Sequence, residues 1–424
     1  MIDDEELHRR NVPDLSFDRL TVLSPLGRGA KGVVFLVKDE DRDEFLALKV
    51  ISKALIEKKG KGADGDEYRR VCFEQGVLSR LRHPLLPRLR GVLDSEKLIG
   101  YAIDYCSGRD LNVLRKRQTE KMFSDDIIRF YAAELVLALE YLHKSGIVYR
   151  DLKPENVMVQ ENGHIMIVDF DLSTKLSPKS TPHSSPSSSN SASTSNSVAS
   201  KKRFSPFHRF CNSGISPEDS ASQAGLSLNS ARTESNSTEK SNSFVGTEEY
   251  VAPEIVSGDG HDFAVDWWSL GVVLYEMLYG ATPFRGTNRK ETFYRILTKS
   301  PELTGEPTPL RDLIGKLLEK DPKQRIQVEE IKGHDFFRGV EWESVVQISR
   351  PPYIPENDEK GKEGIANINV ESVVQGIFGN GDVDKCKSEH EKHGGIEEAE
   401  NVNTKTWVGE FNHHPTQTDH FLVF

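Results

Sequence analysis

The chain has 424 residues, and 55 Lys and Arg against 66 Asp and Glu give it a formal net charge of −11 at pH 7. This length accommodates one large two-lobed domain with additional segments. The acidic balance disfavours a general nucleic-acid-binding protein, because nucleic-acid backbones attract basic surfaces. The 4 cysteines are scattered without paired spacing, so we expect neither a disulfide framework nor a zinc site, and a reducing environment fits best.

The start of the chain is acidic and contains no apolar run, so we expect no signal peptide. The apolar stretch 270–278 is too short to span a bilayer and predicts a buried helix. We therefore expect a soluble, intracellular protein that is located in the cytoplasm, the nucleus or both.

A glycine-rich segment near the start of the chain follows a strand-like run at 20–26 and has the pattern GxGxxGxV. Glycine lets the backbone approach phosphate groups, whose oxygens then bind free N–H groups. A strand follows the glycines, and not a helix, so the pattern favours a nucleotide-binding hairpin over a Rossmann site. An ordinary glycine-rich hairpin is the alternative. The residues expected to contact nucleotide are Leu26, Gly27, Arg28, Gly29, Ala30, Lys31, Gly32, Val33 and Val34.

The apolar run 45–50 contains one charged residue, Lys49. A buried ammonium group is costly unless it meets an opposite charge, so this lysine needs an acidic partner. Glu74 lies on the helical segment that follows, where by itself it would be a solvated helix residue.

The short loop 148–157 carries Asp151, Lys153 and Asn156, and helical spacing over 127–143 predicts a buried helix that leads into it. Metal-assisted phosphoryl transfer needs a carboxylate that takes a proton from the attacking hydroxyl. It also needs a cation near the phosphoryl group and an oxygen ligand for Mg²⁺. These three residues supply such groups; a surface turn capped by Asp151 is the alternative.

The string Tyr-Arg-Asp-Leu-Lys-Pro-Glu-Asn resembles the catalytic loop of eukaryotic protein kinases, with Tyr149 where His is common. The Tyr-Arg-Asp form is similar to the AGC group of basophilic Ser/Thr kinases. The resemblance implies an α+β bilobal fold, with a β-rich small lobe over 17–106 and a helical large lobe over 107–339. An N-terminal extension (1–16) and an AGC-type C-terminal tail (340–424) flank the lobes. It also implies ATP and Mg²⁺ as cofactors, protein substrates and a monomer.

The nucleotide-site residues follow from this resemblance. Lys49 would contact the nucleotide phosphates and pair with Glu74. The backbone from Asp104 to Cys106 would meet adenine, and Asp110 would hydrogen-bond the ribose. Capping of the following helix is the alternative role of Asp110, and both roles are compatible.

The metal ligands implied by the resemblance are Asn156 and Asp169. Asp169 opens the triplet Asp-Phe-Asp, in which Asp171 replaces the usual glycine. Our hypothesis is that phosphoryl transfer is retained while the mobility of this loop is altered. Asp266 would hold the backbone of the catalytic loop.

Residues 246–254 resemble the end of a kinase activation segment. Thr247 would hydrogen-bond Asp151 and Lys153, and Glu254 would pair with Arg325 to brace the large lobe.

Ser243 stands at the place of the activating phosphosite. A phosphate there adds nearly two negative charges, which Arg150 can take up, with Arg70 as a second candidate partner. The resemblance implies an upstream phosphoinositide-dependent kinase as the activating enzyme.

A long insertion at about 176–240 is rich in Ser, Thr, Asn and Pro, and resembles the insertion of plant AGC VIII kinases that carry Asp-Phe-Asp. About 65 residues exceed what an activation segment needs, and their composition predicts disorder. The basic and aromatic patch 201–210 is compatible with anionic lipid at the plasma membrane, with a nuclear signal or with a docked partner. A solvated basic spot is the alternative.

Three acids match residues that bind arginines N-terminal to the target hydroxyl in AGC kinases, and these are Asp110, Glu155 and Glu276. Glu248 stands where proline is usual beside the residue after the target. The resemblance thus implies basic protein substrates and a role in stress, defence or growth signalling.

The C-terminal tail begins at 351–355, and the charged stretch 356–405 is expected to be mobile. Phe421 and Phe424 resemble the hydrophobic motif of AGC kinases. That motif docks in a small-lobe groove of its own chain or of the upstream kinase. A chance pair of terminal apolar residues is the alternative.

Two other functional classes remain open. A pseudokinase scaffold is suggested by Asp171 and the insertion, although the residues for catalysis are present. A small-molecule kinase is disfavoured by Thr247 and the terminal phenylalanines.

Overall fold

The structure is a computed structural model that describes residues 12–29, 32–59, 66–118, 120–176, 241, 243, 245–348, 351–355, 368–378 and 422–423. Most of the predicted insertion, the patch 201–210, Ala30 and Lys31 lie outside the described residues. Phe421 and Phe424 also lie outside them.

The small lobe is built on a seven-stranded sheet with the strand order β1-β5-β6-β4-β3-β2-β11. Its outermost strands, β1 and β11, pair in parallel with β5 and β2, whereas the inner pairs are antiparallel. The strands are β1 (Asp14–Leu15), β2 (Leu20–Arg28), β3 (Gly32–Asp39), β4 (Glu44–Ser52), β5 (Leu89–Asp94), β6 (Leu98–Asp104) and β11 (Leu422–Val423).

Alternation along β4 gives the sheet two different faces. Leu46, Leu48 and Val50 are buried in the apolar core, and Lys49 between them points to the opposite face, as the two-residue period of a strand requires. That opposite face meets α2 (Asp66–Leu78), which follows the short helix α1 (Lys53–Lys59). A strand with one lysine among apolar residues thus presents its ammonium group to a helix.

The core face of the sheet is covered by α10 (Val370–Phe378). Val370, Val373, Val374 and Ile377 are buried against the strands, at the i, i+3, i+4, i+7 spacing of an amphipathic helix. The expectation that the whole stretch 356–405 is mobile is therefore wrong for these nine residues. Their apolar stripe buries enough surface to order the segment, although charged sequence surrounds it.

The large lobe packs helices around α4 (Asp125–Lys144), which buries half of its residues, and α6 (Ala264–Tyr279), which buries most of them. At Gly271 of α6, an added Cβ would lie 2.8 Å from Leu317 Cβ, so a glycine is needed where α8 crosses. The other helices are α3 (Leu111–Lys116), α5 (Pro253–Ser257), α7 (Arg289–Thr298), α8 (Pro309–Leu317) and α9 (Val328–Lys332). The predicted buried helix over 270–278 lies within α6 and is confirmed.

Short strands position the catalytic loop between the lobes. After α4, β7 (Ile147–Val148) pairs with β10 (Thr174–Lys175), and β8 (Val157–Val159) pairs with β9 (Ile165–Ile167). The catalytic loop therefore connects β7 to β8, and the Asp-Phe-Asp triplet lies in the connection between β9 and β10. Within the described ranges, no helix combines the length and the apolar character that a membrane crossing requires.

Candidate active site

Asp151 lies at the centre of a hydrogen-bonded cluster on the catalytic loop. Its Oδ1 accepts from Thr247 Oγ1 at 2.8 Å, and its Oδ2 accepts from Lys153 Nζ at 3.0 Å and Asn156 Nδ2 at 2.9 Å. Lys153 Nζ also donates to Thr247 Oγ1 at 3.1 Å. The predicted contacts of Thr247 are therefore present, and they hold a nearly buried carboxylate beside one ammonium group and one hydroxyl.

Asp266 holds the backbone of this loop through hydrogen bonds, as the sequence predicts. Its fully buried carboxylate accepts from the backbone N–H of Tyr149 at 2.9 Å and of Arg150 at 2.7 Å. Arg150 adopts a φ of 68°, in the left-handed region, which costs a non-glycine residue energy that these bonds offset. His143, on α4, contacts the same carboxylate at 2.8 Å, and this contact was not predicted from the sequence.

Tyr149 has a local reason to stand where kinases commonly carry histidine. Its ring packs edge-on against Phe170 with the centroids 5.3 Å apart, and its hydroxyl donates to the Val168 carbonyl. Burial raises the pKa of the Tyr149 hydroxyl well above its usual value, so the group stays a donor. The tyrosine therefore links the catalytic loop to the residue just before Asp169.

Lys49 lies between two carboxylates, and the predicted pair with Glu74 is present. Its Nζ lies 3.2 Å and 3.3 Å from the two Glu74 oxygens and 3.1 Å from Asp169 Oδ1. Burial by itself lowers the pKa of Lys49, but the Asp169 and Glu74 charges outweigh it and hold that pKa well above its usual value. Glu74 also accepts from the Phe170 backbone N–H at 3.1 Å, which ties α2 to the Asp-Phe-Asp triplet.

Asn156 and Asp169 fit the predicted Mg²⁺ ligands. Asn156 Nδ2 is used by Asp151, whereas its Oδ1 is buried without a hydrogen-bond partner. A buried, unpartnered amide oxygen is costly in a protein interior and suits a hard cation that takes oxygen ligands. The Val168 N–H donates to the Asn156 carbonyl at 2.9 Å, which keeps Asp169 beside this residue.

The Asp-Phe-Asp triplet does not need glycine at its third position in this conformation. Asp169 has a φ of 60°. Asp171 is not among the described residues that have a positive φ. The left-handed strain thus falls on Asp169, the predicted metal ligand, and a side chain at 171 is accommodated.

The glycine-rich hairpin joins β2 to β3, and Gly29 N–H donates to the Gly32 carbonyl at 2.8 Å. A Cβ on Gly32 would lie 2.5 Å from the Val50 carbonyl oxygen, so only glycine fits against β4. The described members of the predicted nucleotide-contacting set therefore lie together on one hairpin.

The segment after β6 carries the predicted adenine and ribose contacts. The Asp104 carboxylate accepts from the Arg88 N–H at 2.7 Å and Arg90 Nε at 2.6 Å, and the adenine contact of its backbone stays a prediction. Cys106 is buried in a small cluster with Met158 and Met166, and burial raises the pKa of its thiol. Cys106 is thus a packing residue in this structure.

Asp110 caps helix α3, since its Oδ1 accepts from the Val113 N–H at 2.8 Å. Burial raises the pKa of this carboxyl group. The capping role suggested as an alternative is present, and the ribose contact stays a prediction.

The acids predicted to bind substrate differ in their hydrogen bonding. Glu155 Oε1 accepts from Asn112 Nδ2 at 2.8 Å, but its Oε2 is buried without a partner, and burial raises the pKa of this group. Both oxygens of Glu276 are already engaged, by Arg115 Nη2 at 2.8 Å and by the Tyr250 hydroxyl at 2.5 Å. Glu155 is therefore better prepared than Glu276 to receive an arginine.

Ser243 lies on the guanidinium group of Arg150, with 2.7 Å between Oγ and Nη1. Burial and the like charge of Arg70 lower the pKa of Arg150 to about 10. The same Nη1 contacts Ser241 Oγ at 3.0 Å and His261 Nε2 at 3.3 Å. His261 was not predicted from the sequence, because no spacing relates it to position 243.

The predicted brace of the large lobe is a buried bidentate ion pair. Arg325 Nη1 and Nη2 lie 2.8 Å and 3.0 Å from the two oxygens of Glu254. Arg325 also donates to the Ala264 carbonyl at 2.7 Å, so α5 and α6 are joined through one side chain.

At the end of the chain, the backbone of Leu422 and Val423 pairs in parallel with Gly27 and Arg28 of β2. The predicted docking residues, Phe421 and Phe424, lie outside the described residues, so their docking stays a prediction.

Comparison with known proteins agrees with this geometry. Residues 20–199 and 228–337 match the family model described as protein kinase domain, and the chain belongs to that family. Serine/threonine-protein kinase OXI1 of Arabidopsis thaliana is 61% identical, over 97% of each chain. From the same plant, Serine/threonine-protein kinase UCN is 44% identical over 82% of this chain and 86% of that protein. Serine/threonine-protein kinase AGC1-7 is 38% identical over 84% of this chain and 68% of that protein.

These relatives confirm the resemblance to AGC-type Ser/Thr kinases and, with it, the bilobal fold. The chain is accordingly an enzyme of the protein kinase family.

Proposed function

We propose that this protein transfers the γ-phosphate of ATP to Ser or Thr hydroxyls of protein substrates that carry arginine N-terminal to the target. We further propose that phosphorylation of Ser243 by an upstream phosphoinositide-dependent kinase activates it. The observation that carries the first proposal is the Asp151 cluster, in which Lys153, Thr247 and Asn156 all bond one carboxylate.

The chain's own groups divide the reaction among them. Asp151 accepts the proton of the attacking hydroxyl, and Lys153 supplies positive charge where the phosphoryl group moves. Lys49, held by Glu74 and Asp169, orients the nucleotide phosphates. Asn156 and Asp169 would hold Mg²⁺, which neutralises phosphate charge when bound.

A peptide-phosphorylation assay with Mg²⁺-ATP tests this function. We expect transfer by the protein phosphorylated at Ser243 and loss of transfer in Asp151→Ala. The fold of the variant is checked by its melting temperature. Binding of Mg²⁺-ATP without transfer by the folded, phosphorylated wild type would favour the pseudokinase alternative. Transfer to small molecules, with none to any peptide of an array, would favour a small-molecule kinase.

The unpartnered Glu155 Oε2 supports the preference for arginine, because a buried carboxylate oxygen without a donor favours a cationic substrate group. A positional-scanning peptide library should show arginine selected N-terminal to the target, and Glu155→Gln should weaken that selection. An unchanged profile in this variant would contradict the assignment.

The contact between Arg150 and Ser243 supports the switch. Ser243→Ala should lower activity severely after treatment with the upstream kinase. Ser344→Ala, at an exposed serine, is the control and should not lower that activity. Wild-type activity in Ser243→Ala would refute the switch.

Asp171→Gly tests the altered mobility of the triplet: unchanged turnover together with an unchanged nucleotide off-rate would remove that hypothesis.

Further proposals concern two segments outside the described residues, the location of the protein in the cell and its signalling role. The docking of 421–424 and the signalling role rest on the family resemblance, and the membrane contact of 201–210 rests on its basic and aromatic residues. Deletion of 421–424 should impair activation by the upstream kinase if Phe421 and Phe424 dock there. Vesicles of anionic lipid should retain the chain through 201–210 if that patch binds membranes, and neutral vesicles should not. Fractionation of cells would show how the protein is distributed among cytoplasm, nucleus and plasma membrane. Stress treatment of the cells would test the signalling role.

A further inference from the structure

The surroundings of Ser243 contain a histidine that the proposed switch does not yet use. His261 is only 2% exposed, and it lies in the segment between α5 and α6. Its backbone forms two hydrogen bonds with Ser241, at 2.9 Å and 3.1 Å, in an isolated antiparallel bridge. The residue two positions before the phosphosite is thereby held against this histidine.

The imidazole shares a donor with the phosphosite. Arg150 Nη1 lies 2.7 Å from Ser243 Oγ and 3.3 Å from His261 Nε2, so those two atoms are at most about 6 Å apart. A guanidinium group only donates hydrogen bonds, so Nε2 accepts here and carries no proton. A phosphate on Ser243 would bring its oxygens into hydrogen-bonding reach of Nε2.

The charges around His261 explain its neutral state before phosphorylation. Burial and the facing Arg150 lower the pKa of His261 to about 4, against the opposing effects of Glu254, Asp266 and Asp262. Those acids lie on α5, on α6 and on the connection between them, and Arg150 comes from the catalytic loop. The nearby Arg70 acts on Arg150 with like charge.

We propose that His261 is a ligand of the phosphate on Ser243 and completes, with Arg150, the site that reads the activating modification. This inference rests on the proposed activation by phosphorylation at Ser243. When the phosphate is present, Nε2 takes one proton from water and gives up its hydrogen bond from Arg150. The imidazolium then donates to a phosphate oxygen, and Arg150 Nη1 is free to donate to another.

The chemistry favours this exchange. The phosphate carries nearly two negative charges and three acceptor oxygens, which one guanidinium group does not satisfy fully. A neutral Nε2 presents a lone pair to that anion, whereas a protonated Nε2 presents a donor. Phosphorylation should therefore be accompanied by uptake of a proton.

Titration of His261 by NMR in the full-length protein, with and without phosphate on Ser243, tests the proposal. The resonance is assigned by its loss in His261→Gln. We expect phosphorylation to raise the pKa of His261 by at least about 2 units, a hundredfold gain in proton affinity. An unchanged pKa in a phosphorylated, activated protein would overturn the assignment.

A second measurement does not depend on the histidine resonance. The ³¹P titration of phosphoserine 243 should show a lower second pKa in wild type than in His261→Gln. The activation ratio of wild type should fall as pH rises through the raised pKa of His261, while that of His261→Gln should be low and nearly independent of pH. His334→Gln, at another buried histidine that contacts Asp312, is the matched control and should behave as wild type.

The outcomes separate this inference from the switch itself. If phosphorylation does not activate wild type, the proposed switch fails, whatever the titration shows. If phosphorylation activates wild type and His261→Gln equally at every pH, the switch stands and the role of His261 is refuted. If His261→Gln does not fold, the resonance is assigned by its loss in His261→Asn, and the wild-type titration then decides.

Discussion

The amide of Asn156 gives the sharpest test of the site. Its Nδ2 donates to the Asp151 backbone carbonyl and to Asp151 Oδ2, both at 2.9 Å, while its Oδ1 has no partner. The variant Asn156→Asp keeps the shape of the side chain but replaces this donor with an acceptor. The new carboxylate must then face the catalytic carboxylate.

The distance sets the size of the effect. Two carboxylate oxygens 2.9 Å apart repel by roughly 6 kcal/mol at an effective dielectric constant of about 20. Protonation of a carboxyl group with an ordinary pKa costs about 4 kcal/mol at pH 7. Proton uptake is the cheaper response, so the pair holds one proton and its pKa rises above its usual range.

Because the pair then shares a proton, Asp151 is a poor base at neutral pH. We expect kcat/KM of Asn156→Asp to be at least about 100-fold lower at pH 7 and to recover partly as pH rises to 9. The assay is phosphorylation of a basic peptide between pH 6 and pH 9, with melting temperatures as the folding control. Asn162→Asp is the matched control, because the exposed Asn162 only accepts from the His164 N–H at 3.1 Å, which a carboxylate also does. Wild-type kcat/KM with a flat pH profile in Asn156→Asp would refute the reasoning.

Three further predictions concern stability. Glu254→Ala leaves the guanidinium group of Arg325 buried without its partner and should lower the free energy of unfolding by about 3–5 kcal/mol in urea titrations. The exposed Arg338→Ala should change it by less than about 1 kcal/mol, and similar losses in the two would contradict the burial argument. Val374→Asp puts a charge on the buried face of α10 and should lower the melting temperature. Aspartate on the exposed face of that helix should not lower the melting temperature. Equal melting temperatures of the two variants would show that the buried face of α10 does not stabilise the lobe. Because the pKa of His261 is lowered to about 4, the unfolded chain binds the proton first, so the unphosphorylated protein should lose stability as pH falls from 6.5 to 4. Urea titrations at pH 7.5 and pH 5 should show a smaller loss in His261→Gln, and equal losses would contradict the lowered pKa.

The sequence by itself determined the chemistry of the catalytic loop. Asp151, Lys153 and Asn156 are close in the chain, so a short loop brings them together whatever the rest of the fold does. The glycine spacing of the β2–β3 hairpin and the helical pattern before the catalytic loop are local in the same sense, since backbone geometry alone relates their residues.

Longer-range partners were found where a family motif supplied the spacing. Lys49 and Glu74 are 25 positions apart, and their contact follows from the pattern of a kinase small lobe and not from propensity. The same holds for Glu254 and Arg325. Lys49 is a charge in an apolar stretch, which signals the need for a partner but not which one.

Only the tertiary structure decided the remaining features. His261 meets Arg150 across 111 positions, and no sequence period relates two such residues. The helix α10 has a visible apolar stripe, but a helix of nine residues is marginal alone and forms because the sheet offers it an apolar face. Asn156 Nδ2 donates to Asp151, and Asn156 Oδ1 is left without a partner. Packing determines which of the two amide atoms a neighbour contacts.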